Sequence, residues 1–463
     1  MGNSFRIFTP STVLSSRAIH TLESAGAEYQ IVTAATDLMR PAKPDGADLL
    51  YVPENHSPDS VHAANMISNS STDRFGILSD VAGLVIHNVG SKPLSLFYRS
   101  RSPQADVGAY TAGADYRARG TVADVPMPRQ IYLGLTQRCN RSCKFCVSRT
   151  FDFDLLSIDQ VNSLCDELAG KVQVIALTGA GEAMTHPRFW EILDLLQARL
   201  PGVVYKMNTS GVTLARNADR LLEYPIKNIT VSLNAATTPT YEKFVGKGFP
   251  VVLNGIETLV RRRAEMNRDD LHLCLSMVLM NSTVGETEQL ATIAAQLGVE
   301  EIQGIYLMIN DDVLAQESLW HQPQRSNELL RAAAAHAAAL GVRASLPPPF
   351  QTAEMRTNSD QHTSLPTTQG QRCTEAWSTA YVRPDGEIMS CPYMDRTLGN
   401  IREHSLEQIW HGDQYTDLRR SLVDGDRWPE CRNCCGFNES GSVDEYPSHW
   451  LGARRPMLPL TVV

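Results

Sequence analysis

Residues 135–150 read LTQRCNRSCKFCVSRT, which places Cys139, Cys143 and Cys146 at C-x3-C-x2-C spacing in a polar, basic stretch. Just upstream, residues 130–136 (QIYLGLT) have the apolar density of a buried strand. A strand followed at once by three closely spaced thiols predicts a loop folded around a metal centre. Three thiolates can hold three irons of a [4Fe–4S] cube and leave the fourth iron open to another ligand. A zinc site and ordinary free thiols are the alternatives, although zinc ligands usually come as two C-x2-C pairs.

Working outward, strand and helix patterns alternate from residue 130 to residue 308, which predicts parallel β/α units. Strands are expected at 172–177, 203–207, 228–233, 271–280 and 301–308. Helices are expected at 157–168, opened by a Ser157–Gln160 capping box, and at 189–200, 252–265 and 285–297. Small residues at 178–183 (TGAGEA) follow the second strand and let the backbone approach a ligand closely. In β/α barrels the chemistry lies at the C-terminal ends of the strands.

These motifs resemble the radical S-adenosylmethionine (SAM) enzymes, whose C-x3-C-x2-C signature follows the first strand of a partial (β/α)6 barrel. Phe145 stands where that family commonly has an aromatic residue. The resemblance implies that Cys139, Cys143 and Cys146 hold a [4Fe–4S] cluster whose open iron chelates SAM. It implies reductive cleavage of SAM to methionine and a 5′-deoxyadenosyl radical, with an electron donor such as flavodoxin or ferredoxin. Gly179, Gly181 and Glu182 match the family's G-G-E-P run, in which the glutamate helps hold the SAM amino group; Ala180 and Ala183 depart from it. Asn208 is expected to face the active site after the third strand. The run 232–235 (SLNA) resembles the family's S-[IL]-[DN]-[GA] run, so Ser232 and Asn234 are expected at the SAM ribose or carboxylate. Many relatives place an arginine shortly afterwards for the carboxylate. Here Val245 stands in its place, with Lys243 and Lys247 as alternative cations and Asn281 as a further SAM candidate. Cys165 and Cys274 lie among apolar neighbours and read as core residues.

After the proline run at 346–350, Cys373, Cys391, Cys431, Cys434 and Cys435 form a second group. Pro384-Asp-Gly386 signals a hairpin turn that would bring Cys373 and Cys391 together. The group resembles the SPASM/twitch extension of some radical SAM enzymes, with Gly386 to Cys391 as G-x4-C, Leu398-Gly-Asn400, then C-x2-C. The economical assignment is one auxiliary [4Fe–4S] cluster on Cys373, Cys391, Cys431 and Cys434, although four thiolates would satisfy zinc too. That leaves Cys435 as an inert neighbour, an alternative ligand or a hydrogen-atom donor. Relatives of this type oxidise or epimerise aminocyclitols and sugar-containing antibiotics, or modify ribosomal peptides. The surplus Cys435 favours epimerisation of a carbohydrate-like small molecule, ahead of dehydrogenation and peptide modification.

The expected organisation is therefore α/β: a small N-terminal α/β domain (1–125), a radical SAM partial barrel (126–340) and a SPASM/twitch-like iron–sulfur domain with a tail (341–463). In the first, strands are expected at 5–8, 29–33 and 81–87 and a helix at 12–25, with irregular connections near 41–60. His56, His62 and His87 are scattered and read as surface or structural. The length of 463 residues supports two or three cores, and 43% hydrophobic and 20% charged residues are ordinary for a soluble globular protein. A net charge of −9 gives no electrostatic reason to expect nucleic acid. No apolar run reaches the roughly eighteen residues of a membrane span, and no secretory signal opens the chain. Ten cysteines, clustered rather than spread as staples, suit a reducing cytoplasm.

Overall fold

The structure, a computed structural model, describes five strands within residues 4–86 by their backbone. It describes residues 116–146, 154–307, 312–350 and 373–432 more fully, apart from 118, 180, 348, 349, 393 and 395. Residues 1–104 and 105–463 are separate compact units. The first holds β1 (Ser4–Phe8), β2 (Glu28–Val32), β3 (Gly46–Val52), β4 (Phe75–Ser79) and β5 (Gly83–Ile86). Their order is β2-β1-β3-β4-β5, parallel except for β5, which returns antiparallel to β4. The stretch read as irregular contains β3. That strand pairs on both sides, with β1 and β4, and for such a strand a short apolar run bounded by Pro and Asp suffices. The helix expected at 12–25 and the three histidines lie outside the described residues.

The second unit is built on one sheet: β6 (Gln130–Leu133), β7 (Val174–Leu177), β8 (Val204–Thr209), β9 (Ile226–Ser232), β10 (His272–Leu279), β11 (Glu301–Tyr306), β12 (Arg343–Ser345), β13 (Thr379–Val382), β14 (Glu387–Met389) and β15 (Gly399–Asn400). Strands β6 to β12 are parallel and lie in chain order, the pattern expected of successive β/α units. Right-handed crossovers in a single direction put every connecting helix on the same face. The capping box at Ser157 forms as read and opens the helix Ile158–Leu168. On the helix-covered face Ile131, Leu133, Ile175, Leu177, Met207, Ile229, Leu275, Met277 and Ile302 are sealed in one core. Among the described residues no helix is long and apolar enough to cross a membrane.

The C-terminal segment joins the sheet of the preceding units. Its first strand, β13, pairs in parallel with β6, and β14 and β15 extend the same sheet. The Pro384-Asp-Gly386 turn joins β13 to β14, with Gly386 at φ 84°. Helix Leu406–Trp410 and helix Asp413–Asp424 pack behind it, and the buried Trp410 indole donates to the Val125 and Pro126 carbonyls. A proline-rich break in sequence says where regular structure stops. It does not say which sheet the next strand joins.

Candidate active site

The residues at the C-terminal ends of β6, β7 and β8 are tied into one assembly. Beyond β6, Thr136 pairs with Leu155, and Gln137 donates to the Asp154 carbonyl, so the returning chain braces the start of the cysteine loop. Cys139 is exposed and Cys143 and Cys146 are half-buried, with Cys146 N–H donating to the Cys143 carbonyl across a turn. Phe145 is half-buried against the core. The loop also docks on the 241–248 segment: Lys144 N–H donates to the Phe244 carbonyl, and Arg141 donates to the Lys247 carbonyl.

Gly181 and Glu182 make the tightest contact in this assembly. Gly181 has φ +90°, and a Cβ there would lie 2.3 Å from the Thr136 carbonyl oxygen and 2.6 Å from that of Arg138. Glu182 N–H donates to the Arg138 carbonyl at 2.8 Å. Its carboxylate, only 2% exposed, accepts from the Thr209 hydroxyl (3.0 and 3.2 Å) and from Ser210 N–H (2.6 Å). The Ser210 hydroxyl then donates to Asn140 Oδ1 at 2.8 Å, inside the cysteine loop. Burial raises the Glu182 pKa against these hydrogen bonds. Gly179, at φ +151°, lies beside the Tyr381 ring of β13; a Cβ there would approach the Tyr381 hydroxyl to 2.5 Å.

The remaining strand-end residues divide. Asn208 lies within β8 rather than after it, and is exposed on the face without helices. Ser232 is half-buried on the same face. Asn234 adopts φ 60°, donates to the Ser232 carbonyl and accepts from Val278 N–H, each at 3.0 Å, so its amide bridges β9 to β10. Val245 is buried, Lys243 reaches Ser282, and the Asn281 amide donates to the Gln316 and Ser318 carbonyls. Sequence reasoning missed Glu286. Its carboxylate accepts from Ala236 N–H (2.7 Å), Thr237 N–H (3.1 Å) and the Thr237 and Thr240 hydroxyls, and so clamps the turn that follows Asn234. An acidic residue ahead of a helix was the only signal for it.

Strand register makes the face of the sheet opposite the apolar core polar, and Thr230, His272, Cys274, Ser276 and Glu301 on it are buried. One row runs Tyr381, Tyr132, Ala176, Lys206, Asn228 and His272; the next runs Asn208, Thr230, Cys274, Glu301 and Arg343; a third holds Ser232, Ser276, Gln303 and Ser345. Cys274 is buried as read, and lies on this face while Leu273 and Leu275 point the other way. Cys165 is in the helix-side core. Burial depresses the Lys206 ammonium to about 8, opposed by the charge of Glu301. For Glu301 itself burial acts upward, but bonds from His272 (2.6 Å), Arg343 and Ser345 outweigh it and hold the carboxyl at about 2, against an ordinary 4.5. A depressed carboxyl stabilises the fold fully above its unfolded value and loses that contribution as pH falls through its folded one. The stability advantage of the wild type over Glu301→Gln, measured by urea midpoints, should therefore shrink steadily from about pH 4.5 to about pH 2.

At the other end of the sheet, Cys373, Cys391 and Cys431 are half-buried, and Arg117 donates to the Cys373 carbonyl at 3.0 Å. Cys434 and Cys435 lie outside the described residues. Because β13 runs parallel to β6 and β14 runs back, Cys373 and Cys391 flank the N-terminal end of β6, opposite the end that feeds the Cys139 loop. The two groups are separated by at least about 10 Å, the rise of three strand residues.

The fold is a run of parallel β/α units with three cysteines in the loop after β6. The model of the radical SAM superfamily matches residues 133–291, and that of the SPASM iron–sulfur cluster-binding domain matches residues 373–435. The chain thus carries a radical SAM domain continued by a SPASM domain. It is 24% identical over 355 residues to the tungsten-containing aldehyde ferredoxin oxidoreductase cofactor-modifying protein of Pyrococcus furiosus, covering 68% of this chain and 91% of that one. It is 29% identical over 169 residues to the mycofactocin maturase MftC of Mycobacterium tuberculosis, a match spanning 35% of this chain and 41% of that protein. Among solved structures it is similar to SuiB of Streptococcus suis bound to SAM, at 12% identity and a TM-score of 0.49, over 66% of this chain and 70% of that one. A radical SAM domain implies SAM and a [4Fe–4S] cluster, and a SPASM domain implies auxiliary iron–sulfur clusters. Three thiols share one strand-end loop, seated on a backbone contact at Gly181 that any Cβ would fill, but among the described residues no three side chains of His, Cys, Asp or Glu are gathered closely enough to hold a metal ion.

Proposed function

We propose that this radical SAM enzyme abstracts hydrogen from a C–H bond of a sugar-containing or polyhydroxylated small molecule, and that Cys435 returns a hydrogen atom to give the epimer. SAM on the first cluster supplies the 5′-deoxyadenosyl radical when reduced by a donor such as flavodoxin or ferredoxin. Cys139, Cys143 and Cys146 hold that cluster beside Phe145. The backbone at Gly179 and Gly181 and the side chains of Glu182, Asn208, Ser232 and Asn234 form the SAM site. In this reading the Glu182 carboxylate meets the SAM amino group, and Asn234 acts by fixing the turn. Cys373, Cys391, Cys431 and Cys434 hold the auxiliary cluster, and the enzyme works in the cytoplasm.

The observation that carries the substrate class is the polar face of the sheet. Lys206, Asn208, Asn228, Thr230, Ser276 and Gln303 offer donors and acceptors in three successive rows, which suits a ligand rich in hydroxyl groups. Dehydrogenation, with the auxiliary cluster accepting an electron, is the alternative outcome at the same site. The similarity to a mycofactocin maturase favours a second substrate reading, modification of a larger precursor such as a ribosomal peptide. Turnover of aminocyclitol and amino-sugar candidates in deuterated water separates the outcomes. Epimerisation through a thiol places solvent deuterium on the product carbon, and Cys435→Ala abolishes that labelling. An unlabelled ketone would show dehydrogenation instead.

A further inference from the structure

Tyr381, on β13, is only 4% exposed and stands beside Tyr132 of β6 in register. Its ring lies against two glycines at neighbouring strand ends. A Cβ on Gly179, after β7, would come within 2.5 Å of the Tyr381 hydroxyl, 2.9 Å of Cε2 and 3.0 Å of Cζ. A Cβ on Gly134, after β6, would come within 3.3 Å of the same Cε2, 3.2 Å of the Val382 carbonyl oxygen and 3.1 Å of Pro384 Cδ. One edge of one ring thus occupies the space that side chains at both positions would need. The backbone supports it, because Gly134 N–H donates to the Val382 carbonyl at 2.8 Å and carries the β13–β6 pairing past the end of β6.

The two glycines open different loops. Gly134 leads into the loop of Cys139, Cys143 and Cys146, and Gly179 leads to Gly181 and Glu182. Farther along, those loops touch each other directly: Gly181 lies against the Thr136 and Arg138 carbonyls, and Glu182 N–H donates to the second of them. At their roots they meet through Tyr381. A buried aromatic ring is a large, stiff body with few internal rotations, and a close-packed interior transmits its position to whatever it touches. Cutting it back would leave the far contact in place and free both roots to shift. A ring that merely filled space would cost stability when removed. A ring that sets the loops would also cost ligand affinity in chains that stay folded.

We propose that Tyr381 is a positioning residue of the SAM site: its ring, supplied by the SPASM segment, sets the spacing between the cysteine loop and the 178–182 loop. The inference rests on reading those two loops as the SAM site, and deepens it by making the C-terminal segment part of that site.

The test uses the full-length chain with Tyr381, Tyr381→Phe, Tyr381→Leu and Tyr381→Met. Equilibrium SAM binding is measured per iron-loaded chain, and hydrogen exchange of residues 134–146 and 178–182 in the iron-free chain, with melting temperature alongside. Tyr381→Phe keeps the ring and should bind SAM within about twofold of the parent. Tyr381→Leu should weaken binding roughly tenfold, a fraction of the hundredfold that attends an ångström of misplacement, and should speed exchange in both loops. Tyr381→Met, flexible enough to fill the gap, takes its place should Leu not fold. Parent-level SAM affinity in a folded Leu or Met chain overturns the proposal, as does parent-level exchange in both loops. A Tyr381→Phe chain as impaired as Tyr381→Leu overturns it too, since the hydroxyl and not the ring would then matter. A parent chain that loads iron yet binds no SAM overturns the SAM-site reading instead, and the exchange comparison alone then decides whether the ring sets the two loops.

Discussion

Glu182→Gln should keep its iron and its thermal stability, yet cleave SAM roughly 100-fold more slowly, the scale of an ångström misplacement of reacting groups. The amide keeps one carbonyl acceptor for Ser210 N–H, and the Thr209 hydroxyl can rotate to accept from its NH2. It loses the negative charge that would meet an ammonium group. Glu182→Ala goes further. It leaves Ser210 N–H and the Thr209 hydroxyl unpaired at a buried site, at a cost of about 1–3 kcal/mol each. It also releases Ser210, which holds Asn140 inside the cysteine loop. Iron content, melting temperature and equilibrium SAM binding distinguish the two effects. Wild-type SAM affinity in Glu182→Gln would reduce this residue to a clamp between strand ends.

Gly181→Ala should be more damaging to the fold than any other single methyl in the site. The added carbon meets backbone on the other side, 2.3 Å from the Thr136 carbonyl oxygen and 2.6 Å from that of Arg138, so no rotamer change relieves it. The residue also sits at φ +90°, where an L side chain is strained. Overpacking and backbone strain together should cost on the order of 3 kcal/mol. Either the cysteine loop or the 178–182 loop must move, and both belong to the proposed SAM site. The expected result is iron loading below half of wild type, with SAM cleavage lost in the loaded fraction. Gly170→Ala is the matching control, since φ is positive there too but nothing lies within 4 Å.

The cysteine loop, the Gly181–Glu182 turn and the hairpin at Gly386 were legible in the sequence because each is a local chemical requirement. Thiols within one loop, a backbone that must come close and a turn at positive φ all leave marks a few residues long. The partners of Glu182 were not legible. Thr209 and Ser210 lie on the next strand, and nothing in their own neighbourhood announces a buried carboxylate opposite. Glu286 was hidden for the same reason: its four donors stand some 50 residues earlier. Cys274 is buried as read, but strand alternation puts it on the face opposite its sequence neighbours Leu273 and Leu275. The strand at Gly46–Val52 was missed because flanking Pro and Asp outweighed a four-residue apolar run.

The parallel pairing of β13 with β6 also bears on the order in which the protein is made. Roughly 250 residues separate the paired strands, so the strand that carries the Cys139 loop waits for its neighbour until nearly the whole chain has left the ribosome. Until then β6 presents an open hydrogen-bonding edge, the kind of surface that invites pairing with another chain. Tyr381 arrives with the same strand and comes to rest against Gly179. A nascent or truncated chain ending after the last β/α unit would therefore have its cysteines in place and its catalytic loops unsupported. The C-terminal extension thus completes the sheet edge on which the cysteine loop is built.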